Sequence, residues 1–259
     1  MKKAIVILIV IIVVIIALFY TILQKSQKSQ KSHATLLERD GVVHIRNTLP
    51  TKVRHRALAL VYQELGNCKN RKIGKINNAS NKRIDVSLHL TPNIKELLRH
   101  IWSDHKDVWT THLGCSNPRL LECSALITFP GAGAQDWHRD VPYDPTKSRL
   151  LSIGIALQDV TESMGPLEVV KKTHLTTDEI SKNMERVRAE KMVCTKDDLI
   201  VWDSSVHHRG SRNTSDTTRV MVNVTFASDG ELPEGSTYSL LPRYKSGNNF
   251  PRINNVIET

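Results

Sequence analysis

Residues Ala4 to Leu23 are apolar apart from Tyr20 and Thr21, and rich in Ile and Val. Twenty helical residues rise far enough to cross the roughly 30 Å hydrocarbon core of a bilayer. The run passes straight into Leu23-Gln24-Lys25, with no small-residue cleavage site, which predicts an uncleaved transmembrane anchor over 1–24. From Gln24 to Ser32 a Lys-Ser-Gln theme repeats with no apolar residue. That composition predicts a flexible polar linker over 25–35, followed by one folded domain over 36–259.

Within the domain the apolar spacing changes character. Val53, Ala57, Leu60, Val61 and Leu65 fall at helical intervals, as do Ile94, Leu97, Leu98 and Ile101 in a helix expected over Asn93 to Trp109. After Pro118 come short runs rich in Val, Ile and Leu: Leu120 to Phe129, Leu150 to Leu157, Leu167 to Val170, Leu199 to Trp202 and Val220 to Phe226. Gly and Pro separate them, and a helix is expected from about Thr177 to Glu190. Helices followed by many short strands predict an α+β chain: a jelly-roll barrel (double-stranded β-helix) with flanking helices, preceded by one transmembrane helix.

Charge adds one feature. Lys and Arg number 36 against 26 Asp and Glu, a net charge of +10, which suits an anionic substrate or surface. No basic block stands beside an aromatic platform, so no nucleic-acid partner is expected. Cys68, Cys115, Cys123 and Cys194 lack C-x-x-C spacing, which argues against a thiolate zinc site and leaves disulfides or free thiols open. Lysines flank both ends of the apolar segment, so the positive-inside rule assigns no orientation. Sequons at Asn78, Asn213 and Asn223 would suit a luminal domain.

The chemistry lies in three pieces. In Gln135-Asp136-Trp137-His138-Arg139-Asp140, residues two apart share a face of a strand, so His138 and Asp140 can reach one metal ion. A second strand ends in His207-His208-Arg209-Gly210. Its histidine would complete two imidazoles and one carboxylate, a set that leaves coordination positions open and suits non-haem Fe(II). Arg219 then stands eleven residues past His208, at the head of the next strand. A guanidinium inside a barrel requires an anion, either a structural Asp or a bound carboxylate.

The order of these pieces, with Gly165-Pro166-Leu167, Lys172-Thr173-His174, Asp198 to Asp203, and H-R-G-x-x-N-x-S-x-x-x-R from His208 to Arg219, resembles the phytanoyl-CoA dioxygenase family over about Leu120 to Ala227. The resemblance implies that His138, Asp140 and His208 bind Fe(II) and that Arg219 holds 2-oxoglutarate. Asn213 and Ser215 would shape the intervening turn. O2 would be the co-substrate and ascorbate supportive, with succinate and CO2 released and the substrate hydroxylated. Asp140 occupies the place that halogenating relatives leave to chloride. The H-x-G spacing and the interval to Arg219 select His208 over His207.

Two departures fall in turns: Lys171-Lys172-Thr173-His174 where the family often has Pro-Gly-Ser-His, and Asp197 where it often has Gly. Trp137 is expected to pack, Gln135 to be a weaker contact candidate, His174 to serve a turn, and His44 and His112 to be structural without partners. A non-catalytic jelly-roll binding module and a metal-dependent hydrolase are the other readings of the same residues. The substrate, whether a small molecule or an acyl or peptidyl group, is not written in the sequence.

Overall fold

Along the apolar runs, alternate side chains point to opposite faces, and the two faces meet different neighbours. The computed structural model describes residues 2–71, 82–176, 188–236, 239–246 and 249–258. Nine strands occur among them: β1 (Val42–Ile45), β2 (Arg83–Ser87), β3 (Arg119–Thr128), β4 (Leu150–Ala156), β5 (Leu167–Val170), β6 (Glu190–Met192), β7 (Leu199–Asp203), β8 (His207–Gly210) and β9 (Arg219–Ala227). The larger sheet has the order β1-β7-β4-β9-β3-β2 and the smaller β6-β5-β8. Every pairing is antiparallel.

These are jelly-roll-like sheets, but the described strands do not close into the expected barrel. Residues 129–149 between β3 and β4 carry Pro130, Pro142 and Pro145, which cannot donate to a ladder. The segment around His138 makes an isolated bridge to His208 instead of the strand expected from the sequence.

The helices are α1 (Lys2–Asp40), α2 (Thr51–Arg71), α3 (Pro92–Asp104), α4 (Lys106–Leu113) and α5 (Ile253–Ile257). The single helix expected over Asn93 to Trp109 breaks at His105, whose backbone (φ −130°, ψ 23°) caps both α3 and α4. Thr91 caps the start of α3 by accepting from the Ile94 N–H, with Pro92 in the first turn. The helix expected from Thr177 falls on 177–187, outside the described residues, and Glu190 opens β6 instead.

The main core lies between the helices and the outer face of the larger sheet. Val220, Val222, Val224 and Phe226 of β9 all point there, with Trp102 edge-on to Phe226 at 5.6 Å between ring centroids. The inward positions of the same strand, Arg219, Met221, Asn223 and Thr225, line a cavity.

The polar segment Gln24 to Ser32 is helical rather than a loose stalk: α1 continues unbroken to Asp40. It contains neither Gly nor Pro, and its Lys and Gln favour helix. Gln30 Nε2 donates to the Asp104 carbonyl at 3.0 Å, and Ala34 and Leu37 are buried in the main core. Gly41 ends the helix at φ +74°, where an added Cβ would lie 2.5 Å from His174 Nδ1. Among the described residues, the amino-terminal part of α1 is the one stretch long and apolar enough to cross a membrane; its mean hydropathy is 2.3 and its side chains are exposed.

The end of α1 is tied to the sheet through charge. His112 contacts Glu38 at 2.6 Å and Asp203 at 3.0 Å, and Arg149 reaches the same two carboxylates at 3.1 and 3.2 Å. Burial pushes the His112 imidazole down, but its two carboxylates outweigh this and hold it above the ordinary range. His44 likewise meets Asp198 at 2.9 Å, so both histidines have the acidic partners that their sequence neighbourhoods did not reveal. Cys115, Cys123 and Cys194 are free thiols, and burial pushes those of Cys123 and Cys194 up to about 12.

Candidate metal centre

His138 and His208 come from different segments joined by paired backbone hydrogen bonds, His138 N–H to His208 O at 3.1 Å and the reverse at 2.9 Å. Asp140 is placed by its own N–H, which donates to the Ser204 carbonyl at 3.0 Å just beyond β7. One Asp140 oxygen then lies 3.5 Å from His208 Nε2 and 3.9 Å from His138 Nε2. The three potential ligand atoms all fall within 4.8 Å of one another, a cluster that could hold a metal ion.

The second nitrogen of each ring supports that use. His138 Nδ1 lies 2.8 Å from the Asp136 carbonyl and His208 Nδ1 3.0 Å from that of Val206. A carbonyl can only accept, so Nδ1 carries the proton and the Nε2 lone pair faces Asp140. Enclosure pushes the Asp140 carboxyl up, but His208 and then His138 more than offset it and keep it ionised below the usual range. Burial and the neighbouring His208 hold His138 below the ordinary imidazole range. Two imidazoles and one carboxylate are the donor set that suits a divalent iron and leaves positions free.

His207 faces away: its N–H donates to Thr173 Oγ1 at 2.9 Å, and its Nε2 accepts from Arg139 Nε at 2.8 Å. Trp137 packs under the Arg209 guanidinium, 4.5 Å from the ring centroid. Gln135 lines the cavity and is pinned to Gly210 by two hydrogen bonds, its N–H to the Gly210 carbonyl at 2.9 Å and the Gly210 N–H to its Oε1 at 2.8 Å. A Cβ on Gly210 would lie 2.6 Å from that Oε1, so any other residue would displace the Gln135 side chain. His174 is buried and meets the Glu38 carbonyl at 3.1 Å, serving the junction of α1 and β1.

Arg219 is 2 % exposed and lines the cavity. It donates to the Gly165 carbonyl and, at 2.9 Å, to Thr128 Oγ1, while its Nε is buried with no partner among the described residues. The structural Asp partner considered from the sequence is not among the described residues. Instead a second guanidinium, Arg83, donates to the same Thr128 oxygen at 3.1 Å. Burial, then Arg83, lowers Arg219 to about 9. A buried cation beside another cation is stable only with an anion supplied from elsewhere, which fits a carboxylate ligand.

The motif turn is built as the sequence suggested. Asn213 is fully buried, donates to the Thr128 and Thr217 carbonyls at 3.1 and 2.9 Å, and accepts from the Ser215 hydroxyl at 2.7 Å. As a sequon it is unavailable, and Asn223 points into the cavity, so neither supports a luminal domain; Asn78 lies outside the described residues. The two departures keep the backbone that glycine would give: Lys172 has φ +66° and Asp197 φ +75°.

The cavity between the sheets has a volume of about 220 Å³. Besides the metal cluster and Arg219 it contains Asp85 and Glu122, which the sequence did not single out, and Asn223, which stood out there only as a sequon. The alternation Arg219-Val220-Met221-Val222-Asn223-Val224-Thr225 was the available signal, since its valines mark the core face and the other residues the cavity.

Solved structures of known proteins share this fold. The solved carbocyclase SnoK from nogalamycin biosynthesis, described as non-heme and alpha-ketoglutarate dependent, is 17% identical, with a TM-score of 0.68 over 86% of this chain and 95% of its own. The epimerase SnoN, solved with Fe3+, alpha-ketoglutarate and nogalamycin RO, is 16% identical with a TM-score of 0.67, covering 88% and 99%. EctD from S. alaskensis, solved with 2-oxoglutarate and 5-hydroxyectoine, is 16% identical with a TM-score of 0.66, covering 84% and 83%. At these identities the likeness is one of fold. Comparison with curated proteins gives no match. The family model described as phytanoyl-CoA dioxygenase matches residues 37–221, well over half of the sequence, and the chain belongs to that family.

Proposed function

We propose that this protein is an Fe(II)- and 2-oxoglutarate-dependent oxygenase that hydroxylates a C–H bond of its substrate, tethered to a membrane by the apolar part of α1. The observation that carries the reading is one cavity holding both the His138–Asp140–His208 cluster and a buried guanidinium, Arg219, with no carboxylate partner among the described residues. A binding module has no need of the first, and a hydrolase built on two His and one Asp has no need of the second.

In this reading His138, Asp140 and His208 hold the iron, and Arg219 pairs with the far carboxylate of 2-oxoglutarate through its planar fork. The bound iron and 2-oxoglutarate supply O2 activation, with succinate and CO2 released. The protein's part is placement and exclusion of water. The carbonyls of Asp136 and Val206 fix the imidazole tautomers, and Thr128 holds Arg219. Leu126, Met221, Trp202 and Ile200 give the cavity apolar walls. Asp140 occupies a coordination place that halide would need, which favours hydroxylation.

The test is succinate formation from 2-oxoglutarate by the purified protein under air with Fe(II) and ascorbate. Turnover that depends on both iron and 2-oxoglutarate is expected. Its absence in protein that retains iron would sink the assignment, and would favour a binding module or a hydrolase.

A further inference from the structure

The wall of the cavity away from Arg219 has a chemistry of its own. Glu122 and Asp85 both line it, from β3 and from the edge strand β2. Glu122 accepts from Ser124 Oγ at 2.8 Å and from Thr225 Oγ1 at 2.7 Å, and Thr225 continues to Ser152 Oγ at 3.3 Å. No Lys or Arg pairs with Glu122 among the described residues, and Arg219 is the one cationic side chain in the lining. Burial and the charge of Asp85 push the Glu122 carboxyl up to about 7.

Two further polar groups face the same space. The Asn223 amide, opposite Ser124 and Gly154 in the sheet, makes no hydrogen bond among the described residues. The Trp202 side chain is 6 % exposed, and its Nε1 is buried without a hydrogen-bond partner of normal geometry, although it lies close enough to Asp140 to favour that carboxylate's charge. Unmet polar groups in an enclosed cavity are costly unless a ligand or water meets them.

We infer that the cavity takes a substrate bearing a protonated amine and neighbouring hydroxyls, with the amine held by Glu122 and Asp85 and the hydroxyls by Asn223 and the Thr225–Ser152 pair. The inference rests on the proposed function, because the substrate must share this cavity with the metal and 2-oxoglutarate. It also reverses the expectation drawn from net charge. The +10 balance belongs to the whole chain, whereas the wall left for substrate is acidic. Substrate class follows the local charges, which enclosure strengthens, and not the sum over the surface.

The experiment uses the full chain in detergent, loaded anaerobically with Fe(II), and first measures 2-oxoglutarate binding. Titration calorimetry on the loaded protein then compares matched probes: ethanolamine against ethylene glycol and glycolate, and glucosamine against glucose and glucuronate. In at least one set the cationic member is expected to bind about ten-fold more tightly than its neutral and anionic partners, or better. Glu122→Gln and Asp85→Asn should each erase most of that preference while 2-oxoglutarate affinity holds. Should Glu122→Gln fail to fold, Asp85→Asn decides alone. Equal or tighter binding of neutral or anionic probes, no binding by any cation, or an undiminished preference in the folded variants would overturn the inference. Failure of wild type to bind 2-oxoglutarate would instead count against the proposed function.

Discussion

His138 and His208 face each other across an isolated antiparallel bridge, each backbone N–H donating to the other's carbonyl, with their rings 4.5 Å apart. The separation of the two imidazoles is thus set by main-chain hydrogen bonds, which leave side-chain identity as the variable. His208→Ala should abolish both iron retention and succinate release. His207→Ala removes the contact to Arg139 and should keep both. Asp140→Ala should end hydroxylation while leaving weak iron binding through the imidazoles. Iron content by elemental analysis, read beside succinate, checks all three, and iron loss in His207→Ala alone would refute the register.

Arg219 tests the cofactor apart from the metal. Arg219→Ala should raise the 2-oxoglutarate requirement by on the order of thirty- to several-thousand-fold, the effect of removing one partner from a desolvated charge pair. Fe(II) affinity should change far less. Arg219→Lys should recover only part, since an ammonium cannot reproduce the fork. Calorimetric 2-oxoglutarate affinities of the iron-loaded variants provide the measurement, and an unchanged value for Arg219→Ala would refute the assignment.

His105 makes stability depend on pH. Burial lowers its imidazole to about 4, and neither ring nitrogen has a hydrogen-bond partner among the described residues. An unfolded histidine takes up its proton near pH 6.5, so between about 6.5 and 4 the unfolded chain binds more protons. The contribution is therefore complete above pH 6.5 and is lost as pH falls toward 4, by on the order of 1–3 kcal/mol. His105→Phe keeps an aromatic edge against Trp109 and should flatten the pH dependence of the denaturant midpoint in that window. An identical slope in wild type and variant would show that His105 contributes nothing.

The apolar end of α1 predicts that the full chain resists carbonate extraction, while a chain beginning at His33 is soluble and folded. Fractionation followed by circular dichroism tests both. Freely soluble full-length protein would remove the anchor from the proposal.

The elements that periodicity makes legible were the ones that bury a continuous face. β3, β4, β5, β7 and β9 coincide with apolar runs read from the sequence, and α2 and α3 with helical spacing. β1, β2, β6 and β8 lie outside those runs: Arg83-Ile84-Asp85-Val86-Ser87 is mostly polar, and Glu190-Lys191-Met192 and His207-His208-Arg209-Gly210 are nearly devoid of apolar residues. The metal cluster and Arg219 were legible because their spacing is local and their order specific. Glu122, Asp85 and Arg83 were not, since each matters through strand pairing: Glu122 faces Thr225 across the β3–β9 register, and Asp85 reaches the cavity only because β2 adds to the sheet beside β3.

α1 has no joint. One helix runs from Lys2 to Asp40, and its last turns are held by Leu37 in the core and by Glu38 on His112 and Arg149. One residue later β1 begins, hydrogen-bonded to β7, which carries Trp202 in the cavity wall. A lever of this kind transmits angle as well as position. The direction of the apolar end is therefore set by the packing of the last turns against the domain, with Gly41 between the helix and β1. A glycine pair placed at Gln24 and Lys25 would cut that linkage and leave both ends intact.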